Sequence, residues 1–165
     1  MKTLLLIRHA KSSWDDSQLS DFERPLNERG KKDAPVMAKR IREEKIKIDC
    51  FISSPAKRAK KTASFFMDEY GVKEKDLVLL PSLYEASVNN FYDAVENIND
   101  TNNVVALFSH NPGITDFVNT LTEKHIDNMP TCSVFALKIK TKKWQDFKKA
   151  EKTFLLFDSP KMHDL

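Results

Sequence analysis

Glycine is nearly absent: Gly30, Gly71 and Gly113 are the three in 165 residues, each about forty positions from the next. Neither a P-loop nor a dinucleotide-binding fingerprint can be written with that spacing, so a Gly-rich loop for nucleotide phosphates is excluded. Cysteine is scarcer still. Cys50 and Cys132 stand apart, each in an apolar run, with no metal-type pairing. Both are expected to be ordinary buried thiols of a cytoplasmic protein. Long apolar runs are missing as well. Residues 4–7 are four apolar side chains before Arg8, too short for a signal-peptide core or a membrane span. Secretion and membrane attachment are therefore not expected. Nor does one sign of charge dominate: 27 Lys and Arg meet 24 Asp and Glu, leaving a formal net charge of +3. Such a surface has no general basic field, and nucleic acid is not expected as a partner.

What is present is enough for one core. At 41% hydrophobic and 31% charged, the chain reads as one globular domain over residues 1–165. A chain of this length buries about 70% of its unfolded surface, so it needs no staples. Short apolar runs alternate with helical patterns. Residues 3–7 read as a strand buried on both faces. A long polar stretch, residues 10–25, follows. Asn27 is placed to cap a helix whose inward face is Ala34, Met37, Ala38 and Ile41, spaced i, i+3, i+4, i+7.

Residues 48–52 read as a second strand, and Ser54-Pro55 as the cap and first-turn proline of a helix bearing Ala59, Ala63, Phe66 and Tyr70. A third strand is expected over 77–80. Phe91, Ala94, Val95 and Ile98 mark another helical face, and residues 104–108 a fourth strand. Asn111-Pro112-Gly113 opens a helix with Ile114, Phe117, Val118 and Leu121 inward. Residues 133–139 and 153–157 read as strands joined across Lys142-Lys143, adding an antiparallel element. The expected fold is α/β: a three-layer sandwich with a largely parallel sheet and helices on both faces.

In such a sheet, ligands bind beyond the carboxyl ends of the strands. There the sequence places Arg8 and His9, then Ser53, Ser54 and Arg58, then Tyr84 and Glu85, then Ser109, His110 and Asn111. Two of the four histidines thus share an edge with two arginines and a carboxylate. The guanidinium fork matches phosphate oxygens bidentately and keeps its charge. Two arginines balance the roughly −1.5 to −2 charges of a phosphate monoester. His9 beside a cation is biased to its neutral form, whose lone pair makes it a nucleophile. No metal-ligand set is visible, and neither metal nor cofactor is expected. His125 and His163 have no supporting constellation and are expected on the surface. The acids of the 10–25 loop, among them Asp15, Asp16, Asp21 and Glu23, read as solvated. Trp14 fits either a cover for the pocket or a small satellite core. Lys57, Lys60 and Lys61 read as a solvated helix face.

Arg8-His9-Ala10-Lys11-Ser12, Arg24-Pro25-Leu26-Asn27-Glu28-Arg29-Gly30, Ser53-Ser54-Pro55-Ala56-Lys57-Arg58-Ala59 with Thr62-Ala63, and Ser109-His110-Asn111-Pro112-Gly113 occur in that order. Together they resemble the histidine phosphatase superfamily, most closely the small SixA-like phosphohistidine phosphatases. The resemblance implies a phosphoglycerate-mutase-like fold and makes His9 the phospho-accepting nucleophile. It places Arg8, Arg58 and His110 around the phosphate, with Glu85 as general acid. Ala10 stands where the superfamily usually has glycine. Lys11, Ser12 and Ser13 stand where larger members carry an asparagine against the phosphate; of these, Lys11 and Ser12 are the candidates for contact. The cap insertions of larger members are missing, which implies an open site.

The expected activity is a metal-independent phosphatase that passes through a phosphohistidine and acts on phosphohistidine of a signalling protein. The alternatives are a small-molecule phosphomonoesterase and a non-catalytic phosphate-binding module. A monomer or weak dimer is expected.

Overall fold

The computed structural model describes residues 1–163, the last of them by its backbone alone. Six strands, β1 (Lys2–Arg8), β2 (Cys50–Ser53), β3 (Val78–Leu79), β4 (Val104–Ser109), β5 (Val134–Ile139) and β6 (Lys152–Asp158), form one mixed sheet ordered β3-β2-β4-β1-β5-β6. The first four run parallel to one another, and β5 lies antiparallel to both β1 and β6. Helices α1 (Glu28–Glu43) and α2 (Lys57–Glu69) cover one face; α3 (Val88–Glu96) and α4 (Gly113–Val118) cover the other.

Strand β1 shows why the sheet is central. Leu4 and Leu6 pack with the α3 and α4 side chains, while Leu5 and Ile7 pack with α1 and α2. Period-2 alternation between two apolar layers explains a continuous apolar run with no exposed residue from 4 to 7. The helical faces read from the sequence are all inward, with Tyr70 half-buried at the edge. Asn27 caps α1 through a 2.8 Å bond accepted from the Gly30 amide. A Cβ on Gly30 would overlap the Lys11 carbonyl, so glycine lets the start of α1 pack against the 10–13 loop.

Three expectations need correction. Helix α2 begins at Lys57 with Ala56 as its cap; the Ser54 hydroxyl accepts from the Ala56 amide at 3.2 Å just ahead of it and also pairs with His110. Strand β3 is only Val78–Leu79, and both side chains are about two-fifths exposed, as befits a short sheet edge. The tail strands are antiparallel and joined across Lys142-Lys143 as expected. Residues 140–151 intervene and include a 3₁₀ turn that buries Trp144. Cys132 is buried, but Cys50 is only half-buried; both thiols are free. Among the described residues, no helix is long and apolar enough to cross a membrane.

Candidate active site

Strand register brings the two histidines together. Arg8 pairs with Ser109 at the ends of the parallel strands β1 and β4, so His9 and His110 are the next residue on each. The His9 amide donates to the Ser109 carbonyl at 3.1 Å, and the two rings lie 5.1 Å apart. Beside them, β2 delivers Ser54, whose amide donates to the Phe108 carbonyl at 3.0 Å. Thr62 ties the layers: its Oγ1 accepts from the Ala10 amide at 2.9 Å and donates to the Arg58 carbonyl at 2.8 Å. The loop after β1 and the first turn of α2 are thus tied together by one buried hydroxyl.

His9 is 6% exposed, and its Nδ1 lies 2.7 Å from the Ala10 carbonyl. A carbonyl only accepts, so Nδ1 carries the proton and Nε2 keeps its lone pair. Arg58 Nε stands 3.4 Å from that Nε2. Burial, with smaller contributions from the nearby His110, Arg58 and Arg8, pushes the His9 pKa down to about 3 against the pull of the Ala10 bond. His110 is held down to about 4, first by burial and then by Arg58. Both rings are neutral near pH 7. His110 Nε2 meets Ser54 Oγ at 2.7 Å, and its buried Nδ1 has no hydrogen-bond partner.

The arginines arrive from different elements. Arg8, at the end of β1, donates from NH1 to the Met129 carbonyl at 2.8 Å, while its buried Nε has no partner. Arg58, in the first turn of α2, faces the strand ends, whereas Lys60 and Lys61 point to solvent. A cavity of about 440 Å³ opens over these groups. Every phosphate or catalytic candidate lines it: Arg8, His9, Lys11, Ser12, Arg58, Glu85 and His110. Ser12 Oγ accepts from Arg24 NH2 at 3.0 Å, whereas Ser13 instead accepts from the Asp15 amide. Glu85 is exposed, with a left-handed φ of 55°.

Sequence reasoning missed a second ring of residues. Asp21, taken for a solvated acid, accepts from Arg58 NH2 and from the Tyr84 hydroxyl at 2.9 and 2.7 Å, and lies 3.4 Å from Arg24 Nε. The Tyr84 bond above all, with help from Arg58 and Arg24, holds its carboxyl below the usual range although partial burial opposes them. The i, i+3 spacing of Asp21 and Arg24 was the available signal. Arg24 is buried, and its guanidinium lies 3.4 Å from the ring centre of Trp14. Trp14 is 77% exposed at the cavity rim, so it fills no satellite core. Asp15, Asp16 and Glu23 are exposed as expected. His125 is exposed, and the side chain of His163 lies outside the described residues.

Four cations (Arg8, Lys11, Arg24, Arg58) against two carboxylates (Asp21, Glu85) make the pocket positive despite the near-neutral whole. Among the described residues, no group of three or more His, Cys, Asp or Glu is placed to hold a metal ion.

Known proteins resemble this chain in sequence and in fold. The chain is 27% identical over 154 residues to an uncharacterised chloroplastic protein of Arabidopsis thaliana, covering 88% of this chain and 70% of that one. It is 33% identical over 86 residues to a 2,3-bisphosphoglycerate-dependent phosphoglycerate mutase of Bartonella henselae; the match covers 51% of this chain and 42% of the mutase. It superposes on the structure of the protein histidine phosphatase SixA complexed with tungstate with a TM-score of 0.82, at 21% identity and over 97% and 98% of the two chains. That likeness establishes a shared phosphoglycerate-mutase-like fold. Residues 4–96, more than half of the chain, match the family model of that fold's enzymes, and the chain belongs to the histidine phosphatase superfamily, branch 1.

Proposed function

We propose that this enzyme removes phosphate from phosphohistidine of a signalling protein, without a metal, by two phosphoryl transfers through His9. The enzyme class comes with the family: it is a hydrolase of phosphate esters. The observation that carries the mechanism is the His9 ring. Its Nδ1 is pinned to the Ala10 carbonyl, and its Nε2 lone pair is directed toward Arg58. Such a ring is oriented and unprotonated before substrate arrives, as a nucleophile requires.

In the first step, Nε2 attacks phosphorus in line, and the bond from phosphorus to the leaving group breaks. Arg58, Arg8 and His110 meet the non-bridging oxygens, where orphaned Arg8 Nε and an Nδ1 proton on His110 find acceptors. Ser54 can donate its hydroxyl hydrogen to His110 Nε2, the tautomer that leaves this proton on Nδ1. Glu85 donates to an ester oxygen as it departs and then accepts a proton from the attacking water. Water breaks the phosphorus–Nε2 bond, releasing inorganic phosphate and free His9. The open rim around Trp14 and Glu85 suits a phosphate carried on a protein, and the fold is shared with a SixA structure holding the oxyanion tungstate.

The half-chain match to a mutase favours a second reading, in which the substrate is a small phosphate ester. One panel separates the readings: a phosphohistidine protein and small esters, with the enzyme rapidly quenched in alkali. A base-stable, acid-labile phosphate on wild type but not on His9→Ala supports the intermediate. Preference for the phosphohistidine protein supports the first reading, and preference for esters the second. No labelling from any donor makes the chain a phosphate-binding module. Activity is expected to survive EDTA; its loss would end the metal-independent reading.

A further inference from the structure

Next to the catalytic cavity lies a second one, a groove of about 550 Å³. The two meet along the chain. Arg24 and Arg58 line the first cavity, while their neighbours Pro25 and Lys57 line the second. The groove has an apolar floor that includes half-buried Leu77 and Leu79, which is 43% exposed on the edge strand β3. Along its wall stand Lys57, Lys60 and Lys61, at i, i+3 and i+4 on α2, with Lys31 opposite. Glu74 is the one carboxylate in the lining.

The lysines are badly placed for the free protein. Lys57 opens the helix, where the macrodipole favours carboxylates, and α2 has no acid in its first turn and no side-chain cap. Like charges at i, i+3 and i+4 repel, which again opposes the helix. Among the described residues Lys57, Lys60 and Lys61 make no ion pair; Lys61 only leans over the Phe65 ring at 5.1 Å. Lys31 is partnered by Glu28 at 3.4 Å. A local electrostatic rule broken without compensation inside the molecule points to compensation from outside it.

We propose that this groove docks an acidic, leucine-type segment of the phosphorylated protein, so that its phosphohistidine reaches His9 while its carboxylates meet Lys57, Lys60 and Lys61. The inference rests on the phosphohistidine-protein reading above and names the surface chemistry of that partner. The match is one of charge and of continuity: cations around an apolar floor, opening where the phosphate pocket ends. Three exposed ion pairs of ordinary strength supply roughly tenfold in kcat/KM, and salt screens them.

The test uses two synthetic phosphohistidine peptides, one flanked by Asp, Glu and Leu and the other by Lys and Ser, together with free phosphohistidine and para-nitrophenyl phosphate. Wild type is expected to favour the acidic peptide roughly tenfold, with the preference fading at high salt. Lys60→Glu/Lys61→Glu is expected to remove or invert that preference and leave para-nitrophenyl phosphate turnover unchanged, since neither lysine lines the catalytic cavity. The same variant is expected to melt slightly higher, because carboxylates at 60 and 61 replace repulsion from Lys57 with attraction at i+3 and i+4. Equal rates on the two peptides, or a preference that survives the double reversal, overturn the docking inference while leaving phosphohistidine hydrolysis intact. Hydrolysis of the ester with none of either peptide or free phosphohistidine overturns the underlying reading and the inference with it.

Discussion

Arg58 Nε lies 3.4 Å from His9 Nε2, while NH1 and NH2 of the same guanidinium bond to the carbonyl and carboxylate of Asp21. One planar cation therefore touches both His9, the proposed nucleophile, and the acidic loop. Lysine keeps the charge but has a single compact head, so it cannot meet both sides at once. Arg58→Lys is expected to lower kcat/KM for an ester by about a hundredfold, in line with the loss of one preorganised donor to a transferring group. Steady-state kinetics check this, and a loss of less than about twofold would remove Arg58 from the machinery.

Asp21 occupies Arg58, a group assigned above to the phosphate. Its carboxylate holds Arg58 and Tyr84 and lies close to Arg24, yet its side chain is 52% exposed. A half-exposed pair of this kind is worth less than about 1 kcal/mol after solvent screening. Asp21→Asn keeps the shape and removes the competing charge. Inorganic phosphate should then inhibit two- to fivefold more tightly, by roughly the energy of such a pair. The melting temperature should fall slightly, because two buried arginines lose a counterion. Weaker phosphate inhibition would show that Asp21 instead orients Arg58 for the anion.

The fold was readable because its signals are local. Alternating burial on β1, the Asn27 cap and the i, i+3, i+4, i+7 faces each depend on a few adjacent residues. His9, His110, Arg8 and Arg58 were readable for a related reason, since strand ends in a parallel sheet share an edge. What escaped was what depends on side chains meeting across loops. Apart from its i, i+3 spacing to Arg24, nothing local distinguishes Asp21 from Asp15 or Asp16; only the fold brings Arg58 and Tyr84 to it. Ser54 carries the composition of a helix cap and its hydroxyl does accept from the Ala56 amide, but the same oxygen also meets a buried imidazole 56 positions away. Strand β3 illustrates the converse. Residues 77–80 have strand chemistry, but pairing on one side only leaves a two-residue ladder.

The two neutral histidines make stability depend on pH. In the unfolded chain both titrate near 6.5, but in the folded one burial depresses His9 to about 3 and His110 to about 4. Between those values and 6.5 the unfolded state binds protons that the native state refuses. Stability is thus complete above about pH 6.5 and falls as pH drops, by up to about 1.4 kcal/mol per pH unit for each histidine. Asp21, with its depressed carboxyl, adds a smaller loss at lower pH still. Urea midpoints measured from neutral pH down to about pH 5 should decline, and His9→Asn should show roughly half the slope. Identical midpoints across that range would mean that the histidines take up protons freely in the fold.

Glu85 tests the leaving-group argument. Its φ of 55° is a left-handed conformation that costs a β-carbon-bearing residue about 1 kcal/mol, so the position is held by its surroundings. The start of α4 is part of that support: a Cβ on Gly113 would overlap the carbonyl of Ala86, next to Glu85. An ester oxygen leaves poorly without a proton, whereas an imidazole leaves readily from phosphohistidine. Glu85→Gln is therefore expected to lose roughly a hundredfold on an ester, the usual scale for a general acid, and only a few-fold on phosphohistidine. Glu85→Gly should show the same split without melting lower, because glycine accepts the backbone angle. Gly113→Ala should reach the same step from outside, displacing the 85–86 turn and weakening ester hydrolysis more than phosphohistidine hydrolysis. Equal losses on both substrates in Glu85→Gln would mean that the carboxylate serves binding or water activation and not leaving-group protonation.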